Sequence, residues 1–237
     1  MDTIFNSIDE ALEDYRNGIP IIVMDDEDRE NEGDLIISGK HLSESITTLY
    51  QQYTTGIFCA VIDEKKSKRL DLPPMCRVNT DNHQTAFTVS CDAINTTTGV
   101  SSKDRTATIK ALCNESIELR KPGHIFPLIS KPNGLQDRRG HTEAGYDLNR
   151  LTYPETFDKE VAFISELMNI RTGRMMNLLD AKEFATNQDF KIISVQQIYE
   201  YGVMDGLYGL GVWVVWVFVV LSVMKARIKI WKMELVH

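Results

Sequence analysis

The stretch that most constrains the fold is an acidic run, DDEDRENEGD, at positions 25–34. Seven of its ten residues carry carboxylates, and Arg29 alone opposes them. The hydrophobic segments on either side, IPIIVM at 19–24 and LIIS at 35–38, predict two short buried strands. Acidic runs are usually solvated, but this one occupies a tight loop between core strands. Because burial raises the cost of like-charge repulsion, we expect a cation or basic side chains to compensate it.

Length and composition indicate an ordinary globular protein. The chain has 237 residues, of which 43% are hydrophobic and 25% charged, enough for a substantial core. A net charge of −8 argues against a nucleic-acid partner, which usually requires a basic face. The four cysteines form no CxxC pair, so we expect free thiols in a reducing compartment rather than a structural zinc site. The polar start MDTIFNSIDE is not typical of a secretory signal, and a cytoplasmic location is predicted.

The C-terminal segment differs in composition from the rest of the chain. Residues 207–224 read LYGLGVWVVWVFVVLSVM, without any charge, and four basic residues follow by position 232. Such a segment reaches the lower limit for spanning a bilayer. Two interpretations stay open: a membrane anchor flanked by basic residues, or translated non-coding sequence such as a retained intron. Either one predicts a globular domain at 1–202 and a hydrophobic tail at 203–237.

Local patterns predict a mixture of helices and strands. A capping box beginning at Ser7 and a stop at Asn17-Gly18 place the first helix at 8–16. Further helices are expected at about 43–53, at 102–113 and directly after RRGH. Further strands are expected at 56–62, 85–94, 161–167 and 191–195. The two prolines of KPGHIFPLI, at 121–129, predict an edge or irregular segment. Since no clean βαβ repeat emerges, the predicted fold class is α+β, a single domain with a mixed β-sheet flanked by helices.

Three polar clusters carry candidate chemistry. The acidic loop fails as an EF-hand, because Gly39 stands where the twelfth position requires Glu, and a looser Mg²⁺ site of one or two carboxylates plus substrate remains. In RRGHTEAG, two arginines precede a predicted helix N-terminus, which suits a phosphate. His141 in this motif could ligate a metal or move protons, although a lone histidine is more often structural. TTTGVSSKDR, at 96–105, either holds an oxygen-rich ligand or simply caps a helix.

Two side chains outside these clusters are further candidates. His124 lies in KPGHIFPL and could be a satisfied core histidine. Glu166 ends an apolar strand, so its carboxylate needs a partner or has a raised pKa suited to acid–base work. Together these groups indicate a Mg²⁺-dependent enzyme that acts on a small, hydroxyl-rich phosphate and transfers protons next to a carbonyl.

Six ordered motifs resemble the 3,4-dihydroxy-2-butanone 4-phosphate synthase family of riboflavin biosynthesis. They span about residues 5–201 and are VMDDEDRENEGDLI, LDLPPM, TAFTVSCD, TTTGVSSKDR, KPGHIFPL and RRGHTEAGYDL. KPGH and RRGHTEAG are most similar to the fungal branch. The resemblance implies a lyase that converts D-ribulose 5-phosphate to L-3,4-dihydroxy-2-butanone 4-phosphate and formate with Mg²⁺ or Mn²⁺. It also implies a homodimer whose sites are built across the interface.

The resemblance further implies a role for individual residues. Glu30 and His141 would be the metal ligands, and His124 and Glu166 the catalytic side chains. The substrate would be contacted by Arg29, Asp34, Thr85, Arg138, Arg139, Gly140, His141 and Thr142. Cys59 stands where the family has a cysteine in a mobile loop near the site.

Three positions depart from the family pattern. Gln52 stands where the family usually has an arginine followed by His or Tyr, Gln84 replaces a glycine in the HGTA motif, and Asn177 replaces a typical arginine. These changes put loop closure, dimer packing and rate in question. They leave open an alternative function, a catalytically impaired metal-binding homologue (a pseudoenzyme), membrane-tethered if the tail is an anchor.

Overall fold

The computed structural model describes residues 4–114 and 118–209. The helices in these ranges are Ile8–Arg16 (α1), Glu44–Tyr53 (α2), Glu64–Arg69 (α3), Ser102–Cys113 (α4), His141–Thr152 (α5), Leu178–Gln188 (α6) and Val195–Asp205 (α7). The strands are Ile21–Met24 (β1), Gly33–Ser38 (β2), Cys59–Ile62 (β3), Cys91–Ala93 (β4), Leu119–Ile129 (β5), Ala162–Glu166 (β6) and Ile192–Ser194 (β7). Short 3₁₀ turns lie at Gly39–His41 and Gly134–Gln136.

Within the described ranges, the seven strands form one mixed sheet in the order β4-β5-β3-β6-β2-β1-β7. The β3–β5 and β1–β7 pairs are parallel, and the remaining neighbours are antiparallel. Every residue of β1 and β2 is buried, as their unbroken hydrophobic runs predict. The expected α+β fold with a mixed sheet is therefore confirmed.

The central strands carry the site because their ends meet beside one helix. Helix α5 packs on β2, β3 and β6. Its Gly145 allows a close approach, since a Cβ there would lie 3.0 Å from the Cβ of Ala162 on β6. In the core, the rings of Tyr50 and Phe58 pack against Phe163, with ring centroids 4.6 and 5.4 Å away; the Tyr50 ring is tilted and the Phe58 ring meets Phe163 edge-on. The start of α5 is thereby held against the strand ends that carry the acidic residues.

Helix boundaries follow the capping residues. Ser7 and Glu10 form the predicted capping box of α1. Ser101 caps α4, accepting from the N–H of Asp104 at 3.1 Å. Asn177, one of the departures from the family pattern, caps α6 by accepting from the N–H groups of Leu179 and Asp180 at 3.0 and 3.1 Å. This departure therefore has a local structural role.

The segment at 121–129 is irregular, as one of the two expectations had it, because its pairing with β4 shifts register between Cys91 and Asp92, but it is not an edge. The segment belongs to β5, an interior strand between β4 and β3. Pro122 is tolerated because the neighbouring N–H groups of Gly123 and His124 find side-chain acceptors, Ser90 Oγ at 3.1 Å and Asp92 Oδ1 at 2.9 Å. Side-chain acceptors thus replace part of the backbone ladder around the proline.

The strand expected at 85–94 is also mostly absent. Regular pairing is restricted to β4, and the preceding residues make the isolated bridges Pro74↔Thr88 and Phe87↔Leu128. The reason lies in Thr85, Phe87 and their neighbours, which form a loop closed by the carboxylate of Asp81. That carboxylate accepts from the N–H groups of His83 and Thr85 at 3.1 and 2.9 Å.

Two compact units divide the chain, residues 1–199 and 200–237. The first contains the sheet, and residues 200–209 of the second complete α7 and a following turn. The predicted hydrophobic segment at 207–224 lies, from residue 210 on, outside the described residues. No helix in the described part of the chain has both the length and the hydropathy needed to cross a membrane.

Gln84 supplies a test of backbone strain, because it lies at φ 56°, a conformation that favours glycine. We expect Gln84→Gly to be more stable than Gln84→Ala by about 1 kcal/mol in urea unfolding, since the alanine retains the Cβ that makes this conformation costly. The alanine variant is the matched control, because both changes remove the bond from Gln84 Nε2 to the Asp81 carbonyl, 2.7 Å long. Equal stability of the two variants would show that the loop carries no strain.

Candidate active site

The acidic loop is organised by one of its own carboxylates. Asp25, which is 6% exposed, accepts Glu32 N–H on Oδ1 at 2.9 Å and Glu30 N–H on Oδ2 at 3.2 Å. Its Oδ2 also accepts Arg29 Nη1 at 2.7 Å. A carboxylate that accepts several N–H groups closes the loop as a turn, and these donors stabilise its own negative charge. The side chains of Arg29 and Glu30 are thereby directed to one side of the turn, where they line a cavity.

A cavity of about 110 Å³ lies where the acidic loop meets the ends of β2, β3 and β6 and the start of α5. Its lining residues are Arg29, Glu30, Asp34, Cys59, Thr85, Phe87, Leu128, Arg138, His141, Thr142, Ile164 and Glu166. The set includes most residues that the resemblance assigns to metal or substrate. Residues separated by more than one hundred positions in the chain thus share one polar pocket.

Two buried acceptors face each other in this cavity. His141 Nε2 lies 3.1 Å from the carbonyl oxygen of Val23, which requires the proton on Nε2 and leaves Nδ1 with its lone pair. That Nδ1 lies 3.4 Å from Asp34 Oδ1, an oxygen without a hydrogen-bond partner among the described residues. Burial lowers the pKa of His141. Burial, reinforced by the charge of Glu166, raises the pKa of Asp34 well above its usual range. The pair therefore calls for a cation or a proton between its atoms.

The donor set fits a divalent cation. Ligand atoms of Asp25, Glu30 and His141 lie within 4.8 Å of one another. Asp25 already binds three N–H donors, so Glu30 and His141, with the open oxygen of Asp34 beside them, are the better candidates. Hard cations prefer carboxylate oxygens, and a neutral imidazole offers one further lone pair. The residues present therefore supply the kinds of ligand atom that such an ion requires.

Two guanidinium groups converge at the N-terminus of α5. A Cβ on Gly140 would collide with the guanidinium of Arg138 and lie 3.2 Å from Arg29 Nη2. Arg138 is fixed by Glu143, which is 2% exposed and accepts Nη1 at 2.6 Å. Its Nη2 also donates to Thr85 Oγ1 at 3.2 Å. Gly140, the N-cap of α5, makes no side-chain cap, so the first N–H groups of the helix remain available to an anion. This geometry suits a phosphate.

Glu166 enters the cavity from the end of β6. Its Oε2 accepts the hydroxyl of Thr55 at 2.6 Å, and its carbonyl accepts Thr55 N–H at 3.0 Å. Cys59 lies beside it on β3, and burial raises the pKa of this thiol well above its usual range. The cysteine is therefore a neutral wall of the cavity at physiological pH rather than a nucleophile.

Two predicted site residues have their side chains outside the cavity. His124 lies on β5, four residues before Leu128, which corresponds to roughly 13 Å along a strand. The side chain of His124 is 44% exposed, and its Nδ1 is 2.8 Å from Asp92 Oδ2. Arg139 points to α7, where its Nη1 donates to Gln196 Oε1 at 3.1 Å. One chain alone therefore does not bring these side chains to the others.

Sequence reasoning missed four residues that organise the site. They are Asp25, Thr55, Asp92 and Glu143, and each holds a candidate residue by a hydrogen bond. Asp92 also explains the glycine of TTTGVSS, because a side chain on Gly99, at φ 82°, would collide with Asp92 and His124. For Glu143 the available signal was its place inside the motif RRGHTEAG, as the one carboxylate in a motif that begins with two arginines.

Fold and site together define an α+β protein with a carboxylate–histidine cluster beside a pair of arginines in one cavity. The family model described as 3,4-dihydroxy-2-butanone 4-phosphate synthase matches residues 9–201. The chain therefore belongs to the 3,4-dihydroxy-2-butanone 4-phosphate synthase family, as the motifs predicted.

Individual relatives agree with this assignment. A 3,4-dihydroxy-2-butanone 4-phosphate synthase of Candida albicans is 42% identical over 205 residues, covering 85% of this chain and 98% of the relative. This match confirms the predicted fungal likeness. The riboflavin biosynthesis protein RibBA of Bacillus velezensis is 41% identical over 201 residues, covering 84% of this chain and 49% of that longer protein.

Solved structures show the same fold. The crystal structure of the Candida albicans synthase has a TM-score of 0.75 and 41% identity, with 84% of this chain and 98% of that chain covered. A 3,4-dihydroxy-2-butanone 4-phosphate synthase in complex with two magnesium ions has a TM-score of 0.78 and 32% identity, with 85% and 99% covered.

The unpaired oxygen of Asp34 generates a prediction about stability. In the presence of chelator at neutral pH, we expect Asp34→Asn to raise the free energy of unfolding by about 1–3 kcal/mol, because the amide is uncharged and can donate to His141 Nδ1. The parent loses stability as pH rises from about 3.9, the unfolded carboxyl value, through the raised folded pKa. The advantage of the variant should therefore vanish near pH 4, which urea unfolding at several pH values measures.

Asp25→Asn is the matched control, because it makes the same chemical change in the same loop. It should lower the free energy of unfolding, since Asp25 accepts three N–H donors and an amide nitrogen cannot accept. Changes of the same sign in the two variants would contradict this description of the loop.

Proposed function

We propose that this protein converts D-ribulose 5-phosphate to L-3,4-dihydroxy-2-butanone 4-phosphate and formate in riboflavin biosynthesis. One observation carries the proposal: the two guanidinium groups at the start of α5 and the Glu30–Asp34–His141 cluster line one cavity. Such a cavity binds a short phosphorylated sugar with its phosphate at one end and its carbonyl and hydroxyl oxygens at the other. The family membership of the chain supports the same reaction.

The phosphate is assigned to the arginine end of the cavity. Arg29 and Arg138 contribute charge, while Gly140 and Thr142 contribute N–H groups of the first helical turn. Thr85 completes this end from the loop closed by Asp81. Arg139 is assigned a backbone contribution only, because its side chain contacts α7.

The sugar oxygens are assigned to the acidic end. Glu30 and His141 would hold Mg²⁺ or Mn²⁺, and Asp34 would accept from a substrate hydroxyl. When bound, the cation supplies electrostatic stabilisation of the negative charge that develops on the substrate oxygens. Glu166 binds the Thr55 hydroxyl through Oε2, so we assign its Oε1 to proton transfer with the substrate.

His124 is assigned to the site of a second copy of the chain. It is oriented by Asp92 through both its backbone N–H and its Nδ1, at 2.9 and 2.8 Å, which leaves Nε2 for a substrate. A half-exposed histidine with a nearly buried carboxylate partner suits proton transfer, yet His124 is not among the described residues that line the cavity of its own chain. A homodimer that shares its sites across the interface accounts for this arrangement.

The alternative of an impaired, metal-binding homologue has less support. Gln52, Gln84 and Asn177 all lie outside the cavity lining, and Asn177 has a capping role of its own. We further propose that residues 1–202 form the catalytic domain, that the reaction takes place in the cytoplasm, and that 203–237 is a separate tail. The extent of the family match, residues 9–201, supports this boundary.

Formate release tests the function and its metal dependence together. Purified protein with ribulose 5-phosphate and Mg²⁺ should release one formate per sugar, and chelator should stop the reaction. Glu30→Gln and His141→Asn should abolish release, because each removes a lone pair or charge that a hard cation requires. Melting curves supply a second measurement that does not depend on turnover. Mg²⁺ at one hundred times its Kd should stabilise the parent by about 2.7 kcal/mol and these variants much less.

Glu32→Gln is the control, because Glu32 lies in the same loop but outside the cavity lining. It should retain both formate release and the Mg²⁺-dependent shift in melting temperature. Equal Mg²⁺ shifts in the parent, Glu30→Gln and His141→Asn would place the cation elsewhere.

Subunit mixing tests the shared site. His124→Ala and Glu166→Gln should each be inactive as homodimers. A heterodimer of the two contains one intact site, so a statistical mixture should recover about one quarter of the parent rate. Mixing Glu166→Gln with Glu30→Gln is the matched control, since both residues belong to the same chain's half of the site. Each of the two sites in that heterodimer carries one of the two changes, so this mixture should recover no activity. No recovery with the first pair would contradict the assignment of His124 to a partner subunit.

A further inference from the structure

The turn that precedes α5 is anchored on the outside of the cavity by Arg139. Its guanidinium carbon lies 3.3 Å from the ring centroid of Tyr199, and its Nη1 donates to Gln196 Oε1 at 3.1 Å. Gln196 and Tyr199 are three positions apart on α7 and therefore share one face of that helix. Gln196 and Tyr199 of α7 therefore bind the Arg139 side chain together.

The start of α5 is held by a small set of side-chain contacts, one of which is the bond of His141 to the Val23 carbonyl at 3.1 Å. Gly140 offers no side chain to cap the helix, and a larger residue would displace the Arg138 guanidinium. On the cavity side, Arg138 is held by Glu143. On the opposite side, Arg139 is held by α7. The two adjacent arginines therefore fix the turn from both faces, while only the first lines the cavity.

We propose that Tyr199 and Gln196 are positioning residues that act through Arg139 to preorganise the anion-binding turn of residues 138–142. This inference rests on the proposed function and names residues that the function does not assign. Holding the turn in its binding conformation before the ligand arrives lowers the ordering cost of binding. Loss of the contacts of Arg139 with Gln196 and Tyr199 should therefore weaken phosphate and sugar-phosphate binding, with a smaller effect on the chemical step.

The first experiment compares Tyr199→Leu with Tyr199→Phe. The leucine removes the aromatic face and should raise the KM for ribulose 5-phosphate about fivefold while kcat changes less than about twofold. The phenylalanine keeps the ring and should restore the parent KM within about twofold. Tyr146→Leu is the matched control, because Tyr146 lies under Arg150 on α5, away from the cavity lining, and its loss should leave KM unchanged. If Tyr199→Leu acted only by lowering the overall stability of the protein, Tyr146→Leu should raise KM in the same way.

A double-mutant cycle distinguishes positioning from direct contact. If Arg139 acts through its contact with α7, Arg139→Ala and Tyr199→Leu should raise KM by similar factors. The KM of the double variant should then be no higher than that of either single variant. If Arg139 itself contacts the substrate, Arg139→Ala alone should raise KM and Tyr199→Leu should not, which would overturn the proposal. Gln196→Ala, at an exposed position, provides a second route to the same comparison should Tyr199→Leu fail to fold.

Calorimetry with inorganic phosphate separates this inference from the proposed function. A parent protein that releases no formate refutes the proposed function, but its phosphate affinity still reports on the turn. Tyr199→Leu should then bind inorganic phosphate about fivefold more weakly than the parent and Tyr199→Phe equally well. Equal Kd values in all three proteins, or no phosphate binding by the parent, overturn the inference.

Discussion

The carboxylate of Asp25 is the contact on which the rest of the site depends. By accepting the N–H groups of Glu30 and Glu32, it closes a loop that carries too much negative charge to close by itself. It also draws in Arg29, the one cation of the run. The turn that results directs Glu30 into the cavity and leads straight into β2, where Asp34 is buried. The acidic residues therefore have two structural positions: one carboxylate builds the loop, and two others, Glu30 and Asp34, line the cavity.

The remaining carboxylates leave the cavity electrostatically strained. Asp34 has an oxygen without a hydrogen-bond partner in the part of the chain that the structure describes, and its pKa is raised by burial and by the neighbouring Glu166. A core of this kind would be more stable with neutral residues, as buried charges commonly are. Retaining the charge makes sense only if something positive enters the cavity and interacts with it. The unpaired acceptor and the neighbouring neutral imidazole are thus best understood as a binding site held ready at a cost in stability.

Sequence reasoning succeeded where the signal was local. The acidic loop, its two flanking strands, the capped helices and the motif residues of the cavity were all predictable from periodicity, capping chemistry or motif. The interior position of β5 was not, because two prolines argue against an interior strand and their compensation comes from Ser90 and Asp92, which are distant in sequence. The roles of Thr55 and Glu143 were likewise hidden, since a hydrogen bond between separate elements has no signature in either one.

The difference between local and long-range contacts also explains which of the candidate site residues one chain brings together. Loop, strand ends and helix start bring the cation and phosphate groups together, because all of them border the same central strands. His124 and Asp92 form an equally well-built pair at β4 and β5, on the far side of β3 and β6 from the acidic loop. Neither His124 nor Asp92 is among the described residues that line the cavity. The orientation of His124 by Asp92, away from the cavity of its own chain, is the observation on which the proposal of a shared site rests.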